Sequence, residues 1–184
     1  MDVSILARRG GRALPGCDDS SNICTEFQSS PDAGVGRYLF CEVFRDRSQL
    51  RAVVDTNVYI SAFLHPERPI FQIVQQAAEH RYHLLTSPAI MNDVGRVLRE
   101  TFGLEERVRL HRLKALAKAA EIINPKMTLD VIGEDPPDNR ILECAVAGRA
   151  NLIVSGDRHL RRLKIYQGIP IVMPIDFLRT LGVT

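Results

Sequence analysis

The chain has 184 residues, 45% apolar and 25% charged, which is enough for one domain with a sizeable core. No apolar run approaches the roughly 18 residues that span a bilayer, and Met1 to Gly16 carries charges where a secretory signal needs an apolar centre, so the expected location is the cytoplasm with no membrane contact. A formal charge of +2 is too small to announce nucleic acid by itself, and Cys17, Cys24, Cys41 and Cys144 follow no metal-binding spacing, which argues for reduced thiols and against zinc.

Residues 1–48 offer turn formers without periodicity: Gly10, Gly11, Pro15, Gly16, then Asp18 to Asn22, then Ser29 to Gly34. They read as a disordered leader outside the domain, with Tyr38 to Phe44 as the one short strand candidate. The domain proper is expected over residues 49–184. It opens on an apolar run, Arg51 to Val54, that ends in Asp55 and suits a buried parallel strand. Thr56 or Asn57 can cap the helix that Val58, Tyr59, Ile60, Ala62 and Phe63 begin, and plain capping is the alternative role of Asp55 itself. Pro66 and Pro69 break the chain, and a second helix follows from Ile70 to about His80. Tyr82 to Leu85 is a strand. Ser87 then caps, and Pro88 opens, a third helix to Glu100, whose stripe is Ile90, Met91, Val94, Val97 and Leu98. A fourth helix is expected from Leu104 to Glu121.

Leu129 to Ile132 reads as an edge strand, and residues 133–137, with their two prolines, as a loop that is not helical. Asp138 or Asn139 caps a helix with the stripe Ile141, Leu142, Ala145 and Val146, stopped by Gly148. Asn151 to Val154 is a strand ending in Ser155-Gly156-Asp157, before a short helix over Arg158 to Lys164. Ile169 to Val172 closes the sheet and a last helix runs from Pro174 to Leu181. Strands alternating with helices predict an α/β fold with a helix-covered, mainly parallel central sheet.

Four acids stand out by position. Asp55 and Asp157 follow strands, and Asp138 sits at a helix start; in open α/β sheets sites form at the carboxyl ends of strands. Asp93 lies at the border of the third helix's apolar stripe, where it is either a site acid or an exposed helical one, and Glu100 on the same border is the substitute. Clustered carboxylates repel one another, which calls for a cation, and oxygen-only ligation suits Mg²⁺ or Mn²⁺. Such a metal equips a site for phosphodiester hydrolysis. Thr56, Asn57, Asn139 and Ser155 stand beside the acids, to orient ligands or simply to cap helices. The basic runs Arg107, Arg109, Arg112, Lys114, Lys118 and Arg158, Arg161, Arg162, Lys164 are either solvated helix faces or phosphate contacts.

Asp55-Thr56-Asn57-Val58 after a strand, Ser87-Pro88 opening an acid-bearing helix, Asp135 to Asn139 leading into Ile141-Leu142-Glu143-Cys144-Ala145, and Ser155-Gly156-Asp157-Arg158-His159-Leu160 together resemble the PIN-domain family over about residues 51–180. The look is that of the bacterial toxin–antitoxin PIN ribonuclease toxins (VapC-like). The resemblance implies a PIN-like three-layer sandwich and a Mg²⁺- or Mn²⁺-dependent endoribonuclease. It implies RNA as substrate, a cognate antitoxin as partner and a homodimer as an option. Its acidic quartet falls on Asp55, Asp93, Asp138 and Asp157. The family usually has Glu where this chain has Asp93, and a leader of some fifty residues is unusual for such compact toxins. Two other readings stand beside it: a PIN fold that binds RNA or protein without cutting, and a receiver-like domain phosphorylated on Asp55.

Overall fold

The structure, a computed structural model, describes residues 50–133 and 136–183. The leader, the strand expected over Tyr38 to Phe44 and Cys17, Cys24 and Cys41 lie outside the described residues. In chain order the elements are β1 (Arg51–Val54), α1 (Thr56–Leu64), α2 (Phe71–Ala78), β2 (His83–Thr86), α3 (Pro88–Glu100), α4 (Glu106–Ala119), β3 (Ala120–Ile122), α5 (Pro136–Ala147), β4 (Leu152–Val154), α6 (Arg158–Leu163), β5 (Ile165–Tyr166), β6 (Ile169–Val172) and α7 (Pro174–Leu181).

Among the described residues the strands form a single sheet in the order β3-β2-β1-β4-β6-β5. Every pairing is parallel except the β5–β6 hairpin at one edge. Consecutive residues of β1 and β4 are buried, as strands covered by helices on both faces must be. Successive strands are laid down from β1 outward through β2 to β3, and the chain then returns to the other side of β1 with β4. The reversal falls between β1 and β4, and the crevice beyond their carboxyl ends is the place where such sheets bind ligands.

Three boundaries differ from expectation. The fourth helix stops at Ala119, and the outer strand is Ala120–Ile122, paired with β2, instead of Leu129 to Ile132. The later segment forms no strand because its N–H groups are taken by side chains of α5. Leu129 N–H donates to Glu143 Oε1 at 2.8 Å, and Val131 and Ile132 N–H both donate to Asn139 Oδ1 at 3.0 and 2.9 Å. The helix of Asp138 starts earlier, at Pro136, so that Asp138 and Asn139 sit in its first turn and do not cap it. Proline suits the first turn, where its missing N–H would have had no helical partner. Likewise the cap of α1 is Asp55, not Thr56 or Asn57. The hairpin strand β5 has no counterpart in the sequence reading.

The N-terminal end of β1 is fixed by Arg51. Its backbone N–H donates to Asn151 Oδ1 (2.8 Å), its Nε to the Gly148 carbonyl (3.1 Å), and its two Nη atoms to the two oxygens of Glu121 (2.9 and 3.0 Å). Since Gly148 follows the end of α5, that helix runs from the far edge of the sheet back to the start of β1. Its 12 residues cover about 18 Å, which puts Asp138 at the edge where β1 and β4 end. The C-terminal helix is seated by Phe177, whose ring meets Tyr82 edge-on at 5.0 Å.

Candidate active site

Asp55 follows the last residue of β1 in an extended conformation, and its own N–H continues the sheet by donating to Val154 O at 3.0 Å. Its side chain is 2% exposed, with Oδ1 accepting from Asn57 N–H at 3.2 Å and Oδ2 accepting from the Ser155 hydroxyl at 2.6 Å. Ser155, the first residue after β4, is fully buried. Its hydroxyl gives its one proton to Asp55 while its oxygen accepts from Asp157 N–H at 2.9 Å. Asp157 in turn caps α6, with Oδ1 accepting from His159 N–H at 2.7 Å. Sequence positions 100 apart are thereby tied through one hydroxyl.

Asp138 is buried in the first turn of α5, at 6% exposure. Its neighbour Asn139 is spent on structure: besides the two bonds it accepts, its Nδ2 donates to Ile132 O at 2.9 Å, so it clamps the 131–132 loop and does not serve the acids. Thr56 is buried and borders, with Asp93, Arg96, Pro137 and Arg140, an open cavity of about 370 Å³. Asp93, not Glu100, is the α3 acid on that cavity. Glu100 stands outside it, held below the usual carboxylate range by hydrogen bonding to Arg99 and, further off, by Arg96. Asp93 itself is paired with Arg96 one turn later. In the first basic run Arg109 is 16% exposed against α3 and Arg112 lies 5.8 Å from the Phe63 ring centre, so these two serve packing, while Arg107, Lys114 and Lys118 are exposed, as are Arg158, Arg161, Arg162 and Lys164 after Asp157.

The core also holds buried ionisable groups with little chemistry to offer at neutral pH. Burial pushes the Cys144 thiol up to about 12, and raises Tyr59 and Tyr82 well above the ordinary phenol value. Cys144 is therefore an inert core thiol, in line with the reduced cysteine expected.

The donor set fits a hard divalent cation in kind: all oxygen, with Asp157 Oδ2 and Asp93 Oδ2 taking no hydrogen bond from the described residues. It is not a closed cage, since among the described residues no three His, Cys, Asp or Glu side chains are gathered as a metal-holding group. Mg²⁺ needs only one or two carboxylates plus waters, which this arrangement can give.

The chain matches the PIN domain over residues 51–159, a span that includes all four acids. It belongs to the PIN-domain family. This PIN domain is also 32% identical over 124 residues to an uncharacterized protein of Methanocaldococcus jannaschii, MJ1680, covering 65% of the chain and 78% of that relative. Its fold is shared with a chain in the crystal structure of VapBC2 from Rickettsia felis bound to a DNA fragment from their promoter. That match has a TM-score of 0.50 at 13% identity, covering 67% of this chain and 98% of that one. No helix among the described residues of the PIN domain is long and apolar enough to cross a membrane.

Sequence reasoning passed over Arg96, Arg140 and Glu143. Arg96 stands three residues after Asp93, and Arg140 two after Asp138 and three before Glu143. That spacing, which puts a base one helical turn from an acid, was the available signal.

Proposed function

We propose that residues 49–184 form a metal-dependent endoribonuclease that hydrolyses RNA phosphodiester bonds in the cytoplasm, as the toxin of a toxin–antitoxin pair held by a cognate antitoxin. The observation that carries this reading is the Asp55–Ser155–Asp157 tie at the reversal of strand order in a PIN domain. Asp55, Asp93, Asp138 and Asp157 are the residues that would hold Mg²⁺ or Mn²⁺. The bound ion supplies charge neutralisation on the phosphate oxygens and a more acidic attacking water.

The chain's own residues do the rest. Ser155 fixes the rotamer of Asp55 and the loop of Asp157 with one hydroxyl, so the two acids keep their separation without a cation between them. Asn57 N–H steadies the other oxygen of Asp55. Arg158, Arg161, Arg162 and Lys164 offer positive charge to the RNA backbone on the flank of Asp157. The fold likeness to a VapBC2 chain supports an antitoxin as the partner.

A binding-only PIN module is the second reading, favoured by the pairing of Asp93 with Arg96 where a catalytic acid would face a metal. Titrating the full chain with Mg²⁺ and Mn²⁺ in the presence of single-stranded RNA decides between them. Cleavage that appears with the metal and stops with a chelator is expected. RNA bound but intact at every metal concentration would leave the binding module.

A further inference from the structure

The cavity beside the acids carries more positive charge than a metal site alone requires. Arg96 and Arg140, with side chains 51% and 46% exposed, both open on it together with Thr56, Asn92 and Asp93. They come from different helices, α3 and α5, and face one space. Among the described residues Asp93 is the one acid on the lining, while Glu100 and Glu143, which also pair with these arginines, lie outside it, so the groups turned to the space are chiefly the two guanidinium ends.

Both guanidinium groups have donors to spare. Arg140 engages Glu143 through Nη1 alone, at 2.7 and 2.9 Å, leaving Nη2 and Nε without a hydrogen bond to the described residues. Arg96 uses Nη2 on Asp93 and has Nη1 3.7 Å from Glu100, which leaves Nε. Their anchors differ. Glu143 is 4% exposed and also accepts from Leu129 N–H, so it holds Arg140 from behind without lining the cavity. Arg140 is thus aimed before any ligand arrives, whereas Arg96 leans on an acid that borders the cavity itself.

We propose that Arg96 and Arg140 form a clamp for a phosphate group of the RNA strand, seated in the cavity between α3 and α5 next to the acids. A guanidinium offers a planar fork matched to phosphate oxygens, and two of them on one cavity, carried by different helices, can hold one group together. The clamp rests on the ribonuclease reading for its substrate. It differs from the exposed run after Asp157 in having a carboxylate-fixed arginine over a concave surface.

The test uses the full chain in chelator, where RNA is bound but not cut. Affinity for a single-stranded RNA oligomer is measured over a salt series for the parent, Arg140→Gln, the double variant Arg96→Gln/Arg140→Gln, and Arg81→Gln. Arg81 is exposed and precedes β2 at the opposite end of the sheet, so it controls for lost charge alone. Arg140→Gln is expected to weaken binding about tenfold, and to flatten the salt dependence by about 0.7, the slope of one phosphate contact on a single strand. The double variant weakens it further, and Arg81→Gln leaves it within about twofold. Melting curves confirm that each variant is folded, and Arg140→Lys is expected to retain the slope with part of the affinity lost. Excess inorganic phosphate that displaces the oligomer from the parent at millimolar concentration would assign the site to free phosphate and overturn the strand clamp. So would unchanged affinity and slope in the folded double variant, or an equal loss in Arg81→Gln. If the parent binds RNA in this pattern yet never cleaves it with metal, the ribonuclease reading falls and the clamp stands. If the variants cleave with the parent's KM, the clamp falls and the ribonuclease reading stands.

Discussion

Strand β1 carries a charge at each end, and the two are treated in opposite ways. At its start Arg51 meets a carboxylate with two nitrogens, a carbonyl with a third and an amide oxygen with its backbone, so that the helix α5, strand β3 and the turn before β4 are fastened to one residue. Just past its end Asp55 is buried and receives a hydroxyl and a backbone N–H, on an edge that also holds Asp138 and Asp157. The first arrangement neutralises charge where the sheet needs cohesion. The second keeps a buried carboxylate on hydrogen-bond donors at the edge where the proposed cation would sit. A candidate site and a stabilising network can thus share a four-residue strand because they occupy its two ends.

The widest gap between the ends should open in Asp55→Asn. Cleavage is expected to fall about a thousandfold, the value of several kcal/mol of charge stabilisation, while the metal-free melting temperature moves by only a few degrees. Asn has one acceptor for the two donors that Asp55 serves, so a bond worth about 1 kcal/mol is lost against one fewer buried charge. The rise in melting temperature that Mg²⁺ gives the parent should vanish. Retained cleavage would make the Asp55 end a mere cap and dissolve the contrast.

Ser155→Ala comes next. It removes the donor to Asp55 Oδ2 and the acceptor of Asp157 N–H, with an expected loss of about 1–3 kcal/mol in stability and about 10- to 100-fold in cleavage. Denaturant melts and initial rates report the two effects separately, and a stability change with normal rates would reduce Ser155 to scaffolding. Asn139→Ala should affect only stability, by about 1–3 kcal/mol, and speed amide exchange at Val131 and Ile132, whose N–H groups it leaves unpaired.

Arg51→Met probes the other end and should be the mildest, about 1 kcal/mol at pH 7 with cleavage unchanged, because Glu121 is half exposed and solvent screens the pair. Hydrogen bonding to Arg51 holds Glu121 below its ordinary 4.5. Its contribution is therefore complete above pH 4.5 and fades as the pH falls through the lowered value. Melts of parent and variant should converge through that acid range; a constant difference down to pH 3 would place the stabilisation in the Gly148 contact of the Arg51 side chain.

The order of strands and helices was legible from apolar runs and punctuation, and Ser87-Pro88 read directly as the start of α3, with Ser87 Oγ accepting from Ile90 N–H at 3.3 Å. The ends of elements were less so where tertiary partners intervened. Leu129 to Ile132 has strand composition, yet side chains from α5 claim its N–H groups, and nothing local announces that. Pro136-Pro137 looked like a helix breaker because a proline pair is ambiguous until its place in the turn is known. For the site, the strand-end positions of Asp55 and Asp157 were readable, but the hydroxyl that joins them was one of four candidate supporting residues. Asn139 had equal standing by sequence and turned to the loop instead. Arg96 and Arg140 were not read as cavity residues, because a base one turn from an acid, the one signal available, reads first as helix surface.

The bond between Asp55 and Ser155 also sets when the site can come into being during synthesis. Its partners are 100 residues apart, as are Arg51 and Asn151, so neither end of β1 is finished until β4 has been made and docked. At a translation rate of about 5–20 residues per second, β1 waits roughly 5–20 s for the strand beside it. A nascent chain that has exposed only α1 to α5 holds Asp55, Asp93 and Asp138 without the loop whose Ser155 links Asp55 to Asp157. The edge that carries the candidate site is thereby a property of the nearly complete polypeptide, and a chain cut short before residue 152 emerges without it.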